Sequence, residues 1–308
     1  MKIAVLFPGQ GSQYPGMADP WTGHPAGKDV MAEASDVLGY DVVEACRDEE
    51  RLADTSVVQP ALFACDLAAF RVLESEGLRF AMAAGHSLGE FVALAAAGAV
   101  EPKEALAAVV ERGRAMQEAS EGRRGAMTAL VGLSAEEAAT ICATAGRGDV
   151  LTVANENSPK QTVVSGSIEA IERAEEMARS RGARVVRLNV AGAFHSPLMQ
   201  PALGRVRQAV ASMTFREPRF PVVPNASARP SAHPSALRDL LSRHLVSPVR
   251  WDRSMRAMAD AGIELFVEAG PGEVLSKLVK RCVPGARGVA AGSPAEADAL
   301  ASEIGARA

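Results

Sequence analysis

The sequence predicts a layered α/β fold into which a smaller subdomain is inserted. Over residues 1–121, short apolar runs alternate with segments of helical length and periodicity, as expected for a parallel sheet covered by helices. From Gly125 the order becomes strand, helix, two strands, helix and strand, which is the βαββαβ order of a ferredoxin-like unit. We therefore predict a large α/β/α domain formed by residues 1–121 and 191–308, and a ferredoxin-like small subdomain over residues 122–190.

The first part of the chain supplies central strands of the large sheet. The run from Ile3 to Phe7 is continuously apolar and ends at Pro8-Gly9, which is typical of a buried strand followed by a loop. A second apolar run of strand length covers residues 78–84. The predicted helices around it cover residues 28–37, 59–76, 90–99 and 102–120.

The remaining elements follow from the same periodicities. In the predicted subdomain, the strands are 125–133, two within 151–166, and 184–190, and the helices are 135–146 and 168–181. After it, the predicted helices are 197–213, 235–245 and 251–261, and the predicted strands are 220–224 and 264–270. The last fifteen residues are rich in Ala and Glu with little apolar periodicity, which predicts a frayed tail.

Composition excludes several classes of protein. The chain has 308 residues, 48% of them hydrophobic and 23% charged, which is typical of a globular protein with a sizeable core. A formal net charge of -4 gives no basic surface for nucleic acid. The N-terminal apolar run is too short for a signal peptide, and no segment has the length of a membrane span, so we expect a cytoplasmic protein without a membrane partner. The four cysteines form no C-x-x-C pair, so neither zinc nor a disulfide framework is indicated.

A serine lies at a turn between a predicted strand and a predicted helix. The stretch "AAGHSLGEF" places Ser87 between Gly85 and Gly89, and glycines there let neighbouring backbone approach closely. A serine in a G-x-S-x-G turn is exposed above the sheet at the positive end of a helix, the geometry of a nucleophile elbow in hydrolase-like folds. Alternatively, Ser87 only caps the helix. The pattern predicts Ser87 as a nucleophile if a base lies nearby.

His195 is the histidine best placed to be that base. It follows a predicted strand and directly precedes Ser196-Pro197, a good N-cap and a good first helical residue. A histidine held at such a junction can be aimed accurately at a partner. The alternative is a loop histidine that hydrogen bonds only to the backbone.

Arg112 is an arginine on an apolar helix face. Ala105, Val109 and Met116 share one stripe of the predicted helix over residues 102–120, and Arg112 falls on that stripe. A buried guanidinium keeps its charge and therefore needs an anion. That anion is either an internal carboxylate or a carboxylate of the substrate, which the planar guanidinium would hold through two hydrogen bonds.

The loop after the first strand is a candidate ligand loop. "FPGQGSQYPGM" begins like a dinucleotide fingerprint, but Tyr14 replaces its third glycine, which argues against a Rossmann site. Loops at the carboxyl ends of strands still bind ligands in α/β sheets. We expect the backbone N–H groups of Gln10 and Leu88 to form an oxyanion hole.

These stretches together resemble malonyl-CoA:acyl carrier protein transacylases and the related acyltransferase domains of polyketide synthases. The resemblance covers nearly the whole chain, and the motifs follow one another in that family's order. They are "PGQGSQ" at 8–13, "QPAL" at 59–62, "GHSLGE" at 85–90, "ERGRAMQ" at 111–117, "QTVVSG" at 161–166, "GAFHSPLM" at 192–199, "SPVRW" at 247–251 and "EAGPG" at 268–272.

The resemblance implies a ping-pong transfer of a malonyl group from malonyl-CoA to the phosphopantetheine thiol of an acyl carrier protein. It implies Ser87 as nucleophile, His195 as general base and Arg112 as the clamp for the malonyl carboxylate, with no metal and no bound cofactor. It also implies that the cleft lies between the large domain and the small subdomain. We expect Phe194, Gln59 and Asn157 to join Arg112 in binding the substrate.

The same resemblance implies that a backbone carbonyl before "PVRW" orients the histidine, so that no acidic triad member is needed. Family members often have Gln four residues before that proline, and this chain has His244. We assign the orienting carbonyl to His244. Phe194, directly before the base, resembles the family's malonyl-selective type, because a bulky ring leaves little room for a branched acyl group.

Other functions remain open at this point. A serine esterase or thioesterase would share the elbow, although no acid is identifiable between Ser87 and His195. A carrier-binding module without chemistry and a transacylase for another acyl group, or between carrier proteins, are further alternatives. An acidic carrier helix would need a basic patch, for which Arg181, Arg184 and Arg187 are candidates.

Overall fold

A computed structural model of the chain describes residues 1–305. Its larger sheet has five parallel strands in the order β7-β2-β1-β8-β9. β1, β2 and β8 are buried at every position, because helices cover both faces of the sheet. The strands are β1 (Ile3–Phe7), β2 (Met82–Gly85), β7 (Val222–Val223), β8 (Leu265–Ala269) and β9 (Arg287–Ala291).

Helices connect the strands of this part, with five of them between β1 and β2. Up to β2 they are α1 (Asp19–Thr22), α2 (Pro25–Leu38), α3 (Val42–Arg47), α4 (Glu49–Ala53) and α5 (Thr55–Ser75), and after it α6 (Gly89–Ala96) and α7 (Pro102–Gly122). Later in the chain they are α10 (Gln200–Ala211), α11 (Pro234–Ser242), α12 (Trp251–Asp260), α13 (Val274–Cys282) and α14 (Pro294–Glu303), with short 3-10 helices at Pro197–Met199 and His244–Val246.

α5 is the core helix of the large sheet. Within residues 1–305 it alone has the length and apolar composition to cross a membrane, and 83% of that apolar window is buried inside the protein. Its apolar side chains therefore belong to the hydrophobic core.

The second sheet is small and antiparallel, in the order β4-β5-β3-β6. With its two helices it follows the predicted βαββαβ order and has its own core around Leu130, Ile141 and Ile171. Its elements are β3 (Gly125–Val131), α8 (Ala135–Ala145), β4 (Leu151–Ser158), β5 (Gln161–Ser167), α9 (Ile168–Ser180) and β6 (Arg184–Arg187).

Backbone hydrogen bonds tie the small sheet to a loop that leads into α12. Val249 N donates to Ala154 O, and Glu156 N donates to Val249 O, each over 2.8 Å. The loop that contains His244 and Ser247 is thereby held between the two sheets.

Several predicted elements differ from the observed ones. The strands predicted over residues 184–190 and 220–224 shorten to Arg184–Arg187 and Val222–Val223. The run over residues 78–84 becomes a strand only from Met82, because Leu78 N donates to Leu73 O and ends α5. The predicted frayed tail contains α14, which buries Ala297, Leu300 and Ala301 against the core; residues 306–308 of that tail lie outside the described residues.

Candidate active site

The candidate site lies where β1 and β2 end side by side. The parallel pairing of these strands places the loop that begins at Pro8 next to the turn that contains Ser87. The N–H of His86 donates to Phe7 O over 2.9 Å and fastens one strand end to the other. Both loops emerge at the carboxyl edge of the sheet, where α/β folds bind ligands.

The turn at Ser87 is a tight, left-handed elbow. Ser87 has a φ of 53°, a conformation that non-glycine residues rarely adopt. A Cβ on Gly85 would lie 1.8 Å from the carbonyl carbon of Gly89, and one on Gly89 would lie 2.3 Å from Phe7 O. The two glycines of the pattern are therefore required by close backbone approach, and the elbow presents Ser87 at the start of α6.

Ser87 and His195 form a hydrogen-bonded pair. His195 Nε2 lies 2.7 Å from Ser87 Oγ, and His195 Nδ1 lies 2.9 Å from Ser247 O and 3.2 Å from His244 O. These partners assign the proton to Nδ1, so that Nε2 accepts from the serine hydroxyl. His195 has a φ of 55°, and Ser196 caps the helical turn after it, as its sequence pattern predicts.

The orientation of His195 depends on carbonyls rather than on a carboxylate. The carbonyl of His244 contributes, but that of Ser247, which the sequence analysis did not identify, is the nearer acceptor. Burial, together with the positive charge of Arg112, lowers the pKa of His195 to about 3. The imidazole is therefore neutral at neutral pH and can accept a proton.

Arg112 projects from α7 into the same cavity and is 1% exposed. Its Nη1 donates to Gln59 Oε1 over 2.5 Å, and its Nη2 lies 3.0 Å from Ser87 Oγ and 3.2 Å from His244 Nε2. Its Nε has no partner within residues 1–305, and no carboxylate of that range forms an ion pair with it. The guanidinium is thus surrounded by neutral acceptors.

Glu90 is the carboxyl group whose field acts on Arg112. Burial lowers the pKa of Arg112 to about 9, with Glu90 opposing that effect, so the guanidinium is charged at neutral pH. Burial raises the pKa of Glu90 to about 7, against the opposing effects of its hydrogen bond from Asn225 N and of Arg112. A group with that pKa is only partly ionised at neutral pH and compensates Arg112 incompletely.

The side chains enclose a small cavity of about 60 Å³ that opens into a larger cleft of about 450 Å³. The two share Gln10, His86, Asn155, Leu188 and Val190, so they are continuous. The small cavity holds the reactive groups, whereas the larger cleft runs between the loop after β1, the small sheet and α13.

The predicted oxyanion donors are both at the small cavity. Within residues 1–305, no acceptor pairs with the backbone N–H of Gln10 or of Leu88. Leu88 follows the nucleophile at the first turn of α6, where the helix dipole adds positive potential. The two N–H groups are therefore free to donate to a ligand.

The remaining predicted site residues divide between the two spaces. Phe194 and Gln59 line the small cavity, and Gln59 also holds Arg112. Asn157 lines only the larger cleft, where its Oδ1 lies 2.9 Å from His86 Nε2. Every predicted site residue except Asn157 and His244 therefore lines the small cavity. Asn157 contacts His86 at its edge, and His244 contacts Arg112 and His195 from behind.

Asn225, which no sequence motif identifies, braces the elbow. Its Oδ1 accepts from Ser87 N over 2.7 Å, its Nδ2 donates to Gly85 O over 2.6 Å, and its own N–H donates to Glu90 Oε2 over 2.9 Å. Its only signal in the sequence is a position directly after the predicted strand over residues 220–224, at the sheet edge that carries Ser87.

Comparison with known proteins agrees with this arrangement. The acyl transferase domain family matches residues 5–296. A malonyl CoA-acyl carrier protein transacylase from Escherichia coli K12 is 41% identical, over 92% of this chain and 93% of that protein. The structure of the same-named enzyme from Coxiella burnetii has a TM-score of 0.95 at 37% identity, covering 99% of this chain and 98% of its own.

A second solved structure shows such a protein with a partner. It is a malonyl-transacylase in complex with its type II PKS acyl carrier protein, with a TM-score of 0.94 and 37% identity over 98% of this chain and all of that one. Since the family match and these relatives both cover nearly all of the sequence, the chain belongs to the acyl transferase domain family.

Proposed function

We propose that this protein transfers a malonyl group from malonyl-CoA to the phosphopantetheine thiol of an acyl carrier protein, in fatty acid or polyketide biosynthesis. The observation that carries the proposal is Arg112, a buried guanidinium without a carboxylate partner in residues 1–305, 3.0 Å from the hydroxyl of Ser87. A carboxylate on the acyl group supplies the missing anion at the distance from Ser87 that a malonyl unit spans. The names of the relatives support the same substrate and acceptor.

In the first half-reaction Ser87 becomes acylated. His195 Nε2 takes the hydroxyl proton while Oγ attacks the thioester carbonyl, and the N–H groups of Gln10 and Leu88 donate to the resulting oxyanion. The tetrahedral intermediate collapses with loss of the CoA thiolate, which takes the proton from His195. The product is an O-malonyl-serine.

In the second half-reaction the carrier thiol replaces CoA in the larger cleft. His195 takes the thiol proton, the thiolate attacks the serine ester, and Ser87 leaves with the proton that His195 returns. Thioester and ester differ little in energy, so the protein mainly has to exclude water from the ester. A cavity of about 60 Å³ between Phe194, Met116 and Leu188 serves that purpose.

A bound malonyl group also makes His195 a stronger base. Arg112 contributes to the low pKa of His195, because two positive charges would lie close together. The malonyl carboxylate compensates Arg112 and so raises the pKa of His195 towards the range in which it accepts a proton readily. Recognition of the acyl group and activation of Ser87 are thereby coupled.

We extend the proposal to the architecture and setting of the protein. The elbow supports a hydrolase-like large domain over residues 1–121 and 191–308, and the order of the small sheet supports a ferredoxin-like subdomain over residues 122–190. The protein acts in the cytoplasm and needs no resident cofactor or metal. The candidate docking arginines Arg181, Arg184 and Arg187 are all exposed, and Arg187 also lines the larger cleft and pairs with Glu175.

Intact-protein mass spectrometry after brief mixing with malonyl-CoA tests the proposal. We expect one malonyl adduct, its loss in Ser87→Ala, and its discharge by a phosphopantetheinylated acyl carrier protein. Acetyl-CoA and methylmalonyl-CoA in parallel measure selectivity. No adduct with folded protein, or discharge to water as fast as to the carrier, would reject the transferase in favour of a docking module or an esterase.

A further inference from the structure

The side chain of His244 contacts the guanidinium of Arg112, although the sequence analysis assigned only its backbone a role. His244 lies in the 3-10 turn His244–Val246 and is 1% exposed. Its Nε2 is 3.2 Å from Arg112 Nη2, and its Nδ1 is 3.2 Å from Leu241 O.

These two contacts determine which nitrogen carries the proton. A carbonyl oxygen only accepts, so Nδ1–H donates to Leu241 O. Nε2 then has a free lone pair and accepts from the guanidinium, which only donates. The imidazole is therefore neutral and serves as an acceptor for Arg112.

The surroundings of His244 keep it neutral. Within residues 1–305, the titratable or charged groups that face its ring are Arg112 from α7 and His195 from the turn before Pro197. The ring of Phe91 from α6 also packs against it, with 5.5 Å between the ring centroids. Burial and the positive charge of Arg112 hold the pKa of His244 well below its usual value. A second cation beside the guanidinium is thus avoided.

A neutral acceptor at position 244 affects Arg112 differently from a carboxylate or an apolar side chain there. Gln59 Oε1 and Ser87 Oγ, the other acceptors of Arg112, are neutral as well. A carboxylate would hold the guanidinium equally well but would cancel the charge that the substrate needs. A leucine would leave the charge intact but would remove one of the contacts that aim it.

We propose that the side chain of His244 is a positioning residue that aims Arg112 at the acyl carboxylate without compensating its charge, and so helps to determine acyl selectivity. The inference rests on the proposed malonyl transfer and deepens it. His244 acts through Arg112, whereas its carbonyl contacts His195 independently and remains in every side-chain variant.

The test compares three replacements of His244. His244→Gln offers a neutral acceptor, His244→Leu offers none, and His244→Glu offers a charged one. The rate of acyl-serine formation is measured by rapid quench and intact mass, with malonyl-CoA and acetyl-CoA separately. His233→Gln, an exposed histidine at the N-terminus of α11, is the matched control.

We expect the malonyl-to-acetyl rate ratio to fall by about 10-fold or more in His244→Leu and in His244→Glu, as for loss of one hydrogen bond or compensation of one charge. In His244→Gln and His233→Gln the ratio stays within about threefold of the parent, less than one hydrogen bond. A side chain that only fills space would not retain the malonyl-to-acetyl ratio with Gln and lose it with Glu.

Each other result contradicts a stated part. Equal rate losses with malonyl-CoA and acetyl-CoA would show that the effect passes through His195. An unchanged malonyl-to-acetyl ratio in His244→Leu would show that Arg112 is oriented without His244. Either result overturns the inference. If His244→Leu fails to fold by circular dichroism, the contrast between Gln and Glu decides alone. Failure of the parent protein to form a malonyl adduct would instead reject the proposed function.

Discussion

The two halves of the small cavity, one around His195 and one around Arg112, differ in whether the buried side chain is charged. On the side of the reaction, His195 is held by two carbonyls, and burial lowers its pKa so that it is neutral. On the side of recognition, Arg112 is equally buried but remains charged, with neutral acceptors around it. In the proposed mechanism the first half acts on any acyl group, whereas the second distinguishes acyl groups by their charge.

Removing the base should break the first half for every acyl group. His195→Ala leaves Ser87 without a proton acceptor, and we expect the rate of acylation to fall by up to about 10⁴-fold with malonyl-CoA and acetyl-CoA alike. Rapid-quench mass spectrometry measures both rates, and thermal unfolding checks the fold. A loss confined to malonyl-CoA would show that the two halves are not separate.

Removing the guanidinium should break only the second half. Arg112→Ala deletes the proposed hydrogen bonds to the malonyl carboxylate, and we expect malonyl transfer to fall by about 100-fold or more. Acetyl transfer should fall by about fivefold at most, since acetyl loses only the contact between Arg112 and Ser87.

Arg112→Lys is the matched control for charge. It keeps the charge but loses the planar fork, so its malonyl rate should lie between those of the parent and of Arg112→Ala. Equal losses of acetyl and malonyl transfer in Arg112→Ala would remove the assigned role of the guanidinium.

Truncating the brace of the elbow should affect the first half without changing selectivity. Asn225→Ala leaves Ser87 N–H and Gly85 O without their partner and relaxes the left-handed turn. We expect both acylation rates to fall by about 10-fold, with KM little changed. Asn225→Asp, which retains the acceptor for Ser87 N, should fall less. A changed malonyl-to-acetyl ratio would contradict this assignment.

Shortening Phe194 should alter a different kind of selectivity, that of size. The side chain is buried at the edge of the small cavity, directly before His195. Phe194→Ala makes room for a branch, and we expect the methylmalonyl-to-malonyl rate ratio to rise by about 10-fold. Phe215→Ala, which lines neither cavity, is the control. An unchanged ratio would mean that another residue limits the size of the acyl group.

The residues that the sequence predicted carry local signals. Ser87 lies between two glycines that the backbone contacts require, His195 precedes a cap, and Arg112 falls on an apolar helical stripe. The family resemblance then assigned their roles. Such patterns depend on a few neighbouring residues, so the sequence alone contains them.

Contacts between distant segments gave no such signal. Asn225 reaches Ser87 across 138 residues, and the side chain of His244 reaches Arg112 across 132. The same applies to α14, whose periodicity is weak and whose burial depends on packing against α5. In each case the tertiary neighbour, which the local sequence does not contain, decides the structure.

The pH dependence of acylation tests whether the two halves of the cavity are coupled. Burial and Arg112 lower the pKa of His195, and a bound malonyl carboxylate compensates Arg112, whereas acetyl does not. The base must be neutral, so the rate falls as the pH falls through the pKa of His195 in the complex. We therefore expect the acid limb at saturating acyl-CoA to lie about one pH unit higher for malonyl than for acetyl.

Acid stability limits where these rates can be measured. The pKa values of His195 and His244 are lowered on folding, so below about pH 6.5 these two groups bind more protons in the unfolded chain and lower the free energy of unfolding as the pH falls. Glu90, whose pKa is raised to about 7, has the opposite effect below that pH. Circular dichroism at each pH identifies the range in which the protein is folded.

In Arg112→Gln the positive charge is absent. The acid limb of the pH–rate profile with acetyl-CoA should therefore move up to the pH of the limb with malonyl-CoA. If the acid limbs with malonyl-CoA and acetyl-CoA coincide in the parent protein, binding of the acyl carboxylate and the pKa of His195 are independent.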